Sequence, residues 1–244
     1  MISVCLASYN GGKYIEEQIR SIISQLSQED ELIISDDGST DETLAIIDKI
    51  NDNRIKVHLH SPININVGHH SQSHYKVTYN FENALSLATG DYIFLADQDD
   101  IWEPDKVEVT ISALQNYILV MSNYSIIDGN GKELQKSFYT TNPIHYNFIH
   151  NLIKTPFHGC CMAFRKEFLA EILPFPSKMV MHDNWIGLYA NWKKYKIGYI
   201  EKPLIKYRRH QFNVSPSARE SANPLWFKLW YRIILAYQII RRSF

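Results

Sequence analysis

The chain has 244 residues, 45% of them hydrophobic and 21% charged, with a formal net charge of −1. That is ordinary globular composition, enough for one large core or two small ones, and its near-neutral balance excludes a global basic field for nucleic acid. Three cysteines, two of them adjacent (Cys160 and Cys161), make neither a disulfide framework nor a metal-type spacing, and they suit a reducing, cytoplasmic setting. Strand-like sequence begins at Ile2, so no signal peptide is expected, and no apolar run approaches the ~20 residues needed to cross a bilayer.

In chain order, residues 2–8 read as a buried strand turned by Tyr9-Asn10-Gly11-Gly12. Ile15, Ile19, Ile22 and Ile23 then fall at helical spacing, which predicts an amphipathic helix over residues 13–26. A second strand covers residues 31–35 and ends at Asp36-Asp37-Gly38. Ser39-Thr40-Asp41-Glu42 has the form of a capping box, with Ser39 at the N-cap and Glu42 reaching back. Leu44, Ile47 and Ile50 give the buried face of the helix that follows, and residues 55–59 give a third strand. A helix from about Tyr79 buries Phe81, Ala84, Leu85 and Ala88 and is closed by Gly90. The apolar run 92–96 is a fourth strand, followed by Asp97-Gln98-Asp99-Asp100-Ile101-Trp102 and a helix start with Pro104 in its first turn.

Strand, helix, strand, helix, strand, helix, strand implies a parallel, right-handed, doubly wound sheet. In such a sheet the clusters Ser8-Tyr9-Asn10, Asp36-Asp37-Gly38-Ser39 and Asp97-Gln98-Asp99-Asp100 share one edge and converge on one crevice. Three carboxylates within four residues repel one another unless a cation holds them, and Mg²⁺ or Mn²⁺ takes such oxygen ligands together with phosphate. An acidic surface turn is the other reading of that stretch.

The second half is less regular. Val107, Ile111 and Leu114 give a helix, residues 118–124 a strand, and Ile127 to Lys132 a hairpin turn. Residues 135–155 carry few periodic cues and read as a flexible loop. Residues 160–164 form a strand, 183–195 a helix with Trp185, Leu188, Tyr189 and Trp192 on one side, and 197–200 and 204–208 two short strands.

At this point the chain resembles the inverting family 2 glycosyltransferases of the GT-A fold, over residues 2–214. The resemblance is carried by Ala7-Ser8-Tyr9-Asn10, by Ile34-Ser35-Asp36-Asp37-Gly38-Ser39-Thr40-Asp41, and by Ala96-Asp97-Gln98-Asp99-Asp100-Ile101-Trp102. It continues in His158-Gly159-Cys160-Cys161-Met162-Ala163-Phe164, Met181-His182-Asp183 and Tyr207-Arg208-Arg209-His210. Asp97-Gln98-Asp99-Asp100-Ile101-Trp102 with His182-Asp183-Asn184-Trp185 is most similar to bacterial rhamnosyltransferase-type members. The fold implied is α/β, Rossmann-like, with a mostly parallel sheet flanked by helices. Residues 1–103 would be the nucleotide-sugar half, 104–214 the acceptor half, and 215–244 a helical tail.

The resemblance also implies roles. Ala7, Ser8, Tyr9 and Asn10 border the nucleotide, Asp37 contacts base or ribose with Asp36 supporting the turn, and Asp97 with Gln98 faces the ribose. Asp99 is the main metal ligand, with His210 as a second, for Mn²⁺ or Mg²⁺, and Arg208 closes over the diphosphate. Asp183 stands where the family keeps its catalytic base; its other reading is a cap for the Trp185 helix. Trp102, His158, Gly159, Cys160 and His182 line the acceptor side, and Asp100 serves the acceptor or the helix start. The donor expected is dTDP-rhamnose or a UDP-hexose, and the acceptor a saccharide or a polyprenyl-diphosphate-linked glycan of a surface polysaccharide. The segment from Gly68 through His74 departs from the family: Tyr79 precedes Asn80 where a basic residue is usual, and Lys76 lies nearby.

The tail holds no acidic residue from Ser221 to Phe244. Trp226, Trp230, Ile233, Ile234, Tyr237 and Ile240 gather on one broad face, with Lys228, Arg232 and Arg242 on another. Such a helix suits the cytoplasmic face of the inner membrane, and packing on the body or in a homodimer is the alternative. Two other functions stay open: a sugar-nucleotide-forming nucleotidyltransferase, which needs a Gly-rich basic loop after the first strand, and a non-catalytic sugar-binding module.

Overall fold

The computed structural model describes residues 1–61, 72–139, 147–177, 179, 181–211, 213 and 225–243. Strands β1 (Ile2–Ser8), β2 (Glu31–Asp36), β3 (Ile55–Leu59) and β4 (Tyr92–Asp97) are mutually parallel, in the spatial order β3-β2-β1-β4. Their crossovers are α1 (Ile15–Ile23), α2 (Thr43–Ile50) and α3 (Gln72–Ser86). β1, β2 and β4 lie inside the sheet and are buried on both faces, as their nearly continuous apolar runs require. β3 is an edge strand, and its Lys56, Val57 and Leu59 are exposed.

The second half joins the same sheet with reversed strands. After β4 come β8 (Met162–Arg165), antiparallel to it, then β6 (Leu119–Asp128), antiparallel to β8. β9 (Ile197–Arg209) runs parallel to β6, and the two-residue β5 (Ile101–Trp102) pairs antiparallel with β9. β7 (Glu133–Gln135) folds back on β6 through the expected hairpin turn. The two short strands expected at 197–200 and 204–208 are one strand; its pairing with β6 shifts register near Asn123, which had split the pattern.

Helices α4 (Lys106–Leu114), α5 (Phe148–Ile153), α6 (Lys166–Ile172), α7 (His182–Trp192) and α8 (Leu225–Arg242) complete the described chain. α5 falls in the stretch that carried few periodic cues; Asn147 caps it by accepting from the His150 N–H at 3.0 Å. α3 starts seven residues before Tyr79, because Tyr75 and Thr78 also face inward. The capping box at Ser39 and Glu42 does not form. Ser39 turns to Asp36, and Asp41 accepts from the N–H and hydroxyl of Thr43, so the helix begins at Thr43.

One continuous core runs from β1 to α8. It includes Phe94 and Leu95 of the first half, Phe164, Trp185 and Leu188 of the second, and Leu235 and Ile239 of the tail helix. Trp185 is fully buried and gives its indole N–H to the Ile172 carbonyl at 3.0 Å. Burying three apolar side chains of α8 (Phe227, Leu235 and Ile239) contributes about 1.5–3 kcal/mol each. The tail is thus packed on the body along its inner side, the alternative the sequence offered for it, while its outer side stays exposed.

One buried carboxylate ties the N-terminal strands together away from the crevice. Glu31 accepts from Ser3 Oγ (2.5 Å), Thr89 N (2.9 Å), Thr89 Oγ1 (2.7 Å) and Lys56 Nζ (2.5 Å). Burial pushes its carboxyl up, but the bonds from Lys56, Ser3 and Thr89 outweigh that and hold it at about 2. A group with a depressed folded pKa gives stability that is complete above its unfolded value and lost as pH falls through the folded one. Urea midpoints of the wild type should therefore fall between about pH 4.5 and pH 2, whereas Glu31→Gln should start lower and lose less over the same window. Equal slopes in the two proteins would remove Glu31 from the acid response.

Candidate active site

The three polar clusters at the strand ends meet, and short bonds lock them. Ser8 Oγ donates to Asp36 Oδ2 at 2.5 Å, and Asp36 also accepts from the backbone and hydroxyl of Ser39, both at 2.7 Å. Asn10, in the left-handed region at φ 49°, donates its N–H to Ser39 Oγ and accepts from the Thr40 N–H, each at 2.8 Å. Gln98 closes the third side: its Oε1 accepts from Tyr9 N at 2.9 Å and its Nε2 donates to Tyr9 O at 3.1 Å. Gly11 permits this, since a Cβ there would sit 2.3 Å from Gln98 Oε1. Ala7 is half-buried at the end of β1, and the Tyr9 side chain is exposed over the crevice. Asp36 and Gln98 are thus consumed in building the crevice.

Three supporting residues carried no motif. His60 Nδ1 lies 2.6 Å from Asp37 Oδ1, Asn80 donates to the Ser8 carbonyl at 3.0 Å, and Gln18 donates to the Asp97 carbonyl at 2.7 Å. Burial pushes the Asp37 carboxyl up despite the bond and charge of His60. A polar Gln18 in a helix otherwise buried through isoleucines was the available signal. His69 and His70 lie outside the described residues. His74 belongs to α3, with a buried Nδ1 that has no hydrogen-bond partner and a pKa lowered by burial.

The acidic stretch divides into unlike carboxylates. Asp99 Oδ2 sits 2.7 Å from His210 Nε2 and 3.2 Å from Asn213 Nδ2. Asp97 is pushed up to about 7 by burial, by Asp99 and by Asp183, with Cys160 donating to it in partial relief. Asp100 is fully buried: Oδ1 accepts from Arg208 N at 3.0 Å, and Oδ2 has no partner. Burial and its two acidic neighbours push it well up. Asp100 therefore faces β9 and the interior, not the acceptor.

Two further expectations are corrected. Arg208 does not reach into open space above the crevice. It is buried, with Nε on the Asp99 carbonyl (2.8 Å), Nη2 on Glu17 (2.6 Å) and its guanidinium stacked 4.7 Å from the Tyr14 ring. Its neighbour Arg209 instead has buried Nε and Nη2 atoms without hydrogen-bond partners. Trp102 is a core residue, 5.6 Å from the Phe94 ring and 4.9 Å from Lys106 Nζ, so it does not wall the acceptor side. Its position on β5, which pairs with β9 over the core, is the reason.

Across from the acidic stretch, the short 3₁₀ turn Gly159–Cys161 and the start of α7 form the other wall. His182 stacks on Phe81 at 4.1 Å, and a Cβ on Gly159 would meet its Nε2 at 2.5 Å. Burial pulls His182 down to about 3 and His158 down to about 4, so both imidazoles are neutral at pH 7. The bond to Cys161 and burial push the Cys160 thiol well up, which makes it an inert wall group and not a nucleophile. Asp183, largely buried in the first turn of α7, accepts from Asn184 N at 2.7 Å and is pushed up to about 7 by burial. Its carboxyl does not cap the helix from outside; Met181 precedes the first turn. A carboxyl poised near neutrality on the edge of a crevice has the properties of a general base.

The donor set suits a hard divalent ion. Asp99 and His210 supply oxygen and nitrogen at one point, and ligand atoms of Asp97, Asp100 and Cys160 lie within 4.8 Å of one another. The unpartnered Asp100 Oδ2 and the raised carboxyls of Asp97 and Asp100 mark uncompensated negative charge there. By contrast, the N–H groups of the β1 turn are taken: Asn10 by Ser39, Gly11 by Thr43 (2.8 Å) and Gly12 by Asp41 (3.0 Å). No backbone cradle for a triphosphate remains in that turn, which argues against a nucleotidyltransferase.

Several known proteins are similar to this chain. The dTDP-rhamnosyl transferase RfbG of Shigella flexneri is 29% identical over 249 residues, covering 93% of this chain and 81% of that one. The UDP-Glc:alpha-D-GlcNAc-diphosphoundecaprenol beta-1,3-glucosyltransferase WfgD of Escherichia coli is 27% identical over 230 residues, covering 93% and 84%. Among solved structures, S. aureus TarS in complex with UDP-GlcNAc superposes with a TM-score of 0.70 at 17% identity over 96% of this chain; the match spans 66% of that longer chain, just under two thirds. The mannosyltransferase PcManGT from Pyrobaculum calidifontis, in complex with GDP-Man and Mn2+, reaches a TM-score of 0.59 over 97% of this chain and 69% of its own, at 17% identity. The family model described as Glycosyl transferase family 2 matches residues 3–173, and with a GT-A-type sheet carrying its acidic strand end opposite Asp183, the chain belongs to that family.

Proposed function

We propose that this enzyme is a metal-assisted, inverting glycosyltransferase that adds one sugar to a saccharide or polyprenyl-diphosphate-linked acceptor in surface polysaccharide synthesis. The observation that carries the reading is Asp183: a carboxyl raised to about 7 by burial, close enough to the acidic strand end to raise Asp97, and accepting from Asn184 N in its own turn. The Asp183 carboxylate would take the proton of the acceptor hydroxyl as that oxygen bonds to the anomeric carbon. The bond from that carbon to the donor phosphate breaks with its electron pair on the diphosphate, and a single displacement inverts the centre. Asp99 and His210 would hold a Mn²⁺ or Mg²⁺ ion, whose charge neutralises the departing diphosphate. The rhamnosyl and glucosyl relatives support dTDP-rhamnose or a UDP-hexose as donor. Three buried, unpaired cysteines suit work at the cytoplasmic face of a membrane.

This chemistry fixes the effects of two substitutions. Asp183→Asn should lower transfer by about 10²–10⁴-fold while stabilisation by nucleotide-sugar, read as a thermal shift across a donor panel with Mn²⁺, persists. Transfer by that variant at the wild-type rate would remove the assigned base. In the wild type the base must be ionised, so the rate should climb with pH up to about 7 and level off above it. A profile flat from pH 5 to 8 contradicts this.

Asp99→Ala should abolish the part of the nucleotide-sugar thermal shift that requires added Mn²⁺. An unchanged metal dependence would refute the ligand role. The rival reading, a sugar-binding module without chemistry, predicts no slow hydrolysis of any donor in the panel.

A further inference from the structure

The outer side of α8 is strongly apolar for a surface helix. Trp226 (66% exposed), Leu229 (62%), Ile233 (60%), Tyr237 (59%) and Ile240 (43%) recur every three or four residues and form one stripe along the whole element. α5 packs beside α8 and extends the stripe with Ile149 (60%) and Ile153 (58%). A contiguous exposed apolar face of this kind marks an interaction surface.

The stripe is held in place rather than dangling. The buried Phe227, Leu235 and Ile239 fix the inner side of α8. Arg232 donates from Nε to the Leu152 carbonyl (2.9 Å) and from Nη2 to the Ile153 carbonyl (2.8 Å), which ties α8 to the end of α5. Arg242 donates to the carbonyls of Leu173 and Pro174 and pins the far end. These two arginines act as clamps, not as the outer basic face the sequence suggested.

Charge selects the occupant. Neither residues 134–166 nor residues 221–244 contain an aspartate or glutamate, and these stretches supply α5 and α8. Lys154 and Arg241 are exposed at the borders of the face. An apolar stripe with a tryptophan and a tyrosine, bordered by cations and free of carboxylates, complements an anionic lipid surface. A second copy seated on the same face would set cation against cation. No helix among the described residues is long and apolar enough to cross a membrane, so the contact is an interfacial one.

We infer that α5 and α8 form one lipid-facing surface that seats the enzyme on an anionic membrane. It rests on the transfer reading only in its consequence for the acceptor. Tyr231 of α8 lies within electrostatic reach of Asp183, and Phe227 packs in a small cluster with Tyr75, Tyr79 and Met181 near the start of α7. The lipid-facing helix therefore borders the Asp183 side of the crevice. An acceptor hydroxyl on a lipid-linked saccharide would arrive from that side.

Co-sedimentation of the full chain with phosphatidylcholine vesicles, with and without phosphatidylglycerol, tests the surface. The wild type should pellet with the anionic vesicles, release as salt is raised, and show a blue shift of tryptophan emission on binding. The double substitution Ile233→Glu with Tyr237→Glu should weaken vesicle binding at least tenfold, with its melting temperature and slow donor hydrolysis unchanged. A wild type that stays in the supernatant at low salt, or a double variant that pellets as well as the wild type, overturns the inference. So does a wild-type dimer that the same double variant converts to a monomer, which would give the face to a second copy. Because vesicle binding is read without any sugar transfer, its failure leaves the transferase reading standing. A chain that pellets but hydrolyses no donor fails only that reading.

Discussion

Three carboxylates within four residues at the end of β4 would spring apart if left alone, and the docking of β9 is what holds them. Asp100 accepts the Arg208 N–H, the Arg208 guanidinium covers the Asp99 carbonyl, and His210 with Asn213 takes the Asp99 carboxylate. Hydrogen bonds to charged groups contribute about 1.5–3 kcal/mol each, so this set offsets part of the repulsion it contains. It also joins residues more than a hundred positions apart, and so fastens the parallel first half of the sheet to the antiparallel second half. Glu17 and Tyr14 of the α1 region complete the clamp on Arg208, which brings the turn after β1 into the same unit.

The compensation is incomplete, and that incompleteness gives the crevice its chemistry. Asp97 and Asp183 stay near neutrality, and Asp100 keeps an unpaired oxygen in the interior. A cation beside Asp99 and His210 would draw the Asp97 carboxyl toward ionisation, against the burial and the acidic neighbours that now hold it up. Asp183 stands on the other wall, on a separate helix, and its elevation comes from burial rather than from the acidic stretch. Two carboxyls poised near pH 7 for different reasons thus face each other across the crevice.

Much of this was legible in the sequence. The alternation of apolar runs and helical spacing located β1 to β4 within a residue; β1, β2 and β4 are buried on both faces and admit little else, and β3 followed from its spacing. The convergence of Ser8, Asp37 and Asp97 on one edge follows from parallel topology alone. What stayed hidden depends on which way a side chain turns after the chain has folded. Arg208 and Arg209 alternate along one strand, and no local signal says which is spent on structure; the partners that decide it, Glu17 and Tyr14, lie almost two hundred residues away. Trp102 looked like a wall of the site because it follows the acidic stretch, but pairing of β5 with β9 turns it inward. Ser39 was a plausible helix cap until Asp36, buried and needing donors, took it instead.

The same logic governs the tail. Its sequence offered two faces, one aromatic and one basic, of a helix suited to an interface. Packing reverses part of that. An arginine buried against carbonyl oxygens at a helix C-terminus or loop gains charge-assisted bonds that it would not gain in water, so Arg232 and Arg242 turn to the body. The aromatic and branched residues left outside cannot be covered by those arginines, and α5 adds two isoleucines to the same side. A fold that spends its cations to fix a helix leaves nine large apolar side chains of two elements in the open, on a helix that lies close to Asp183.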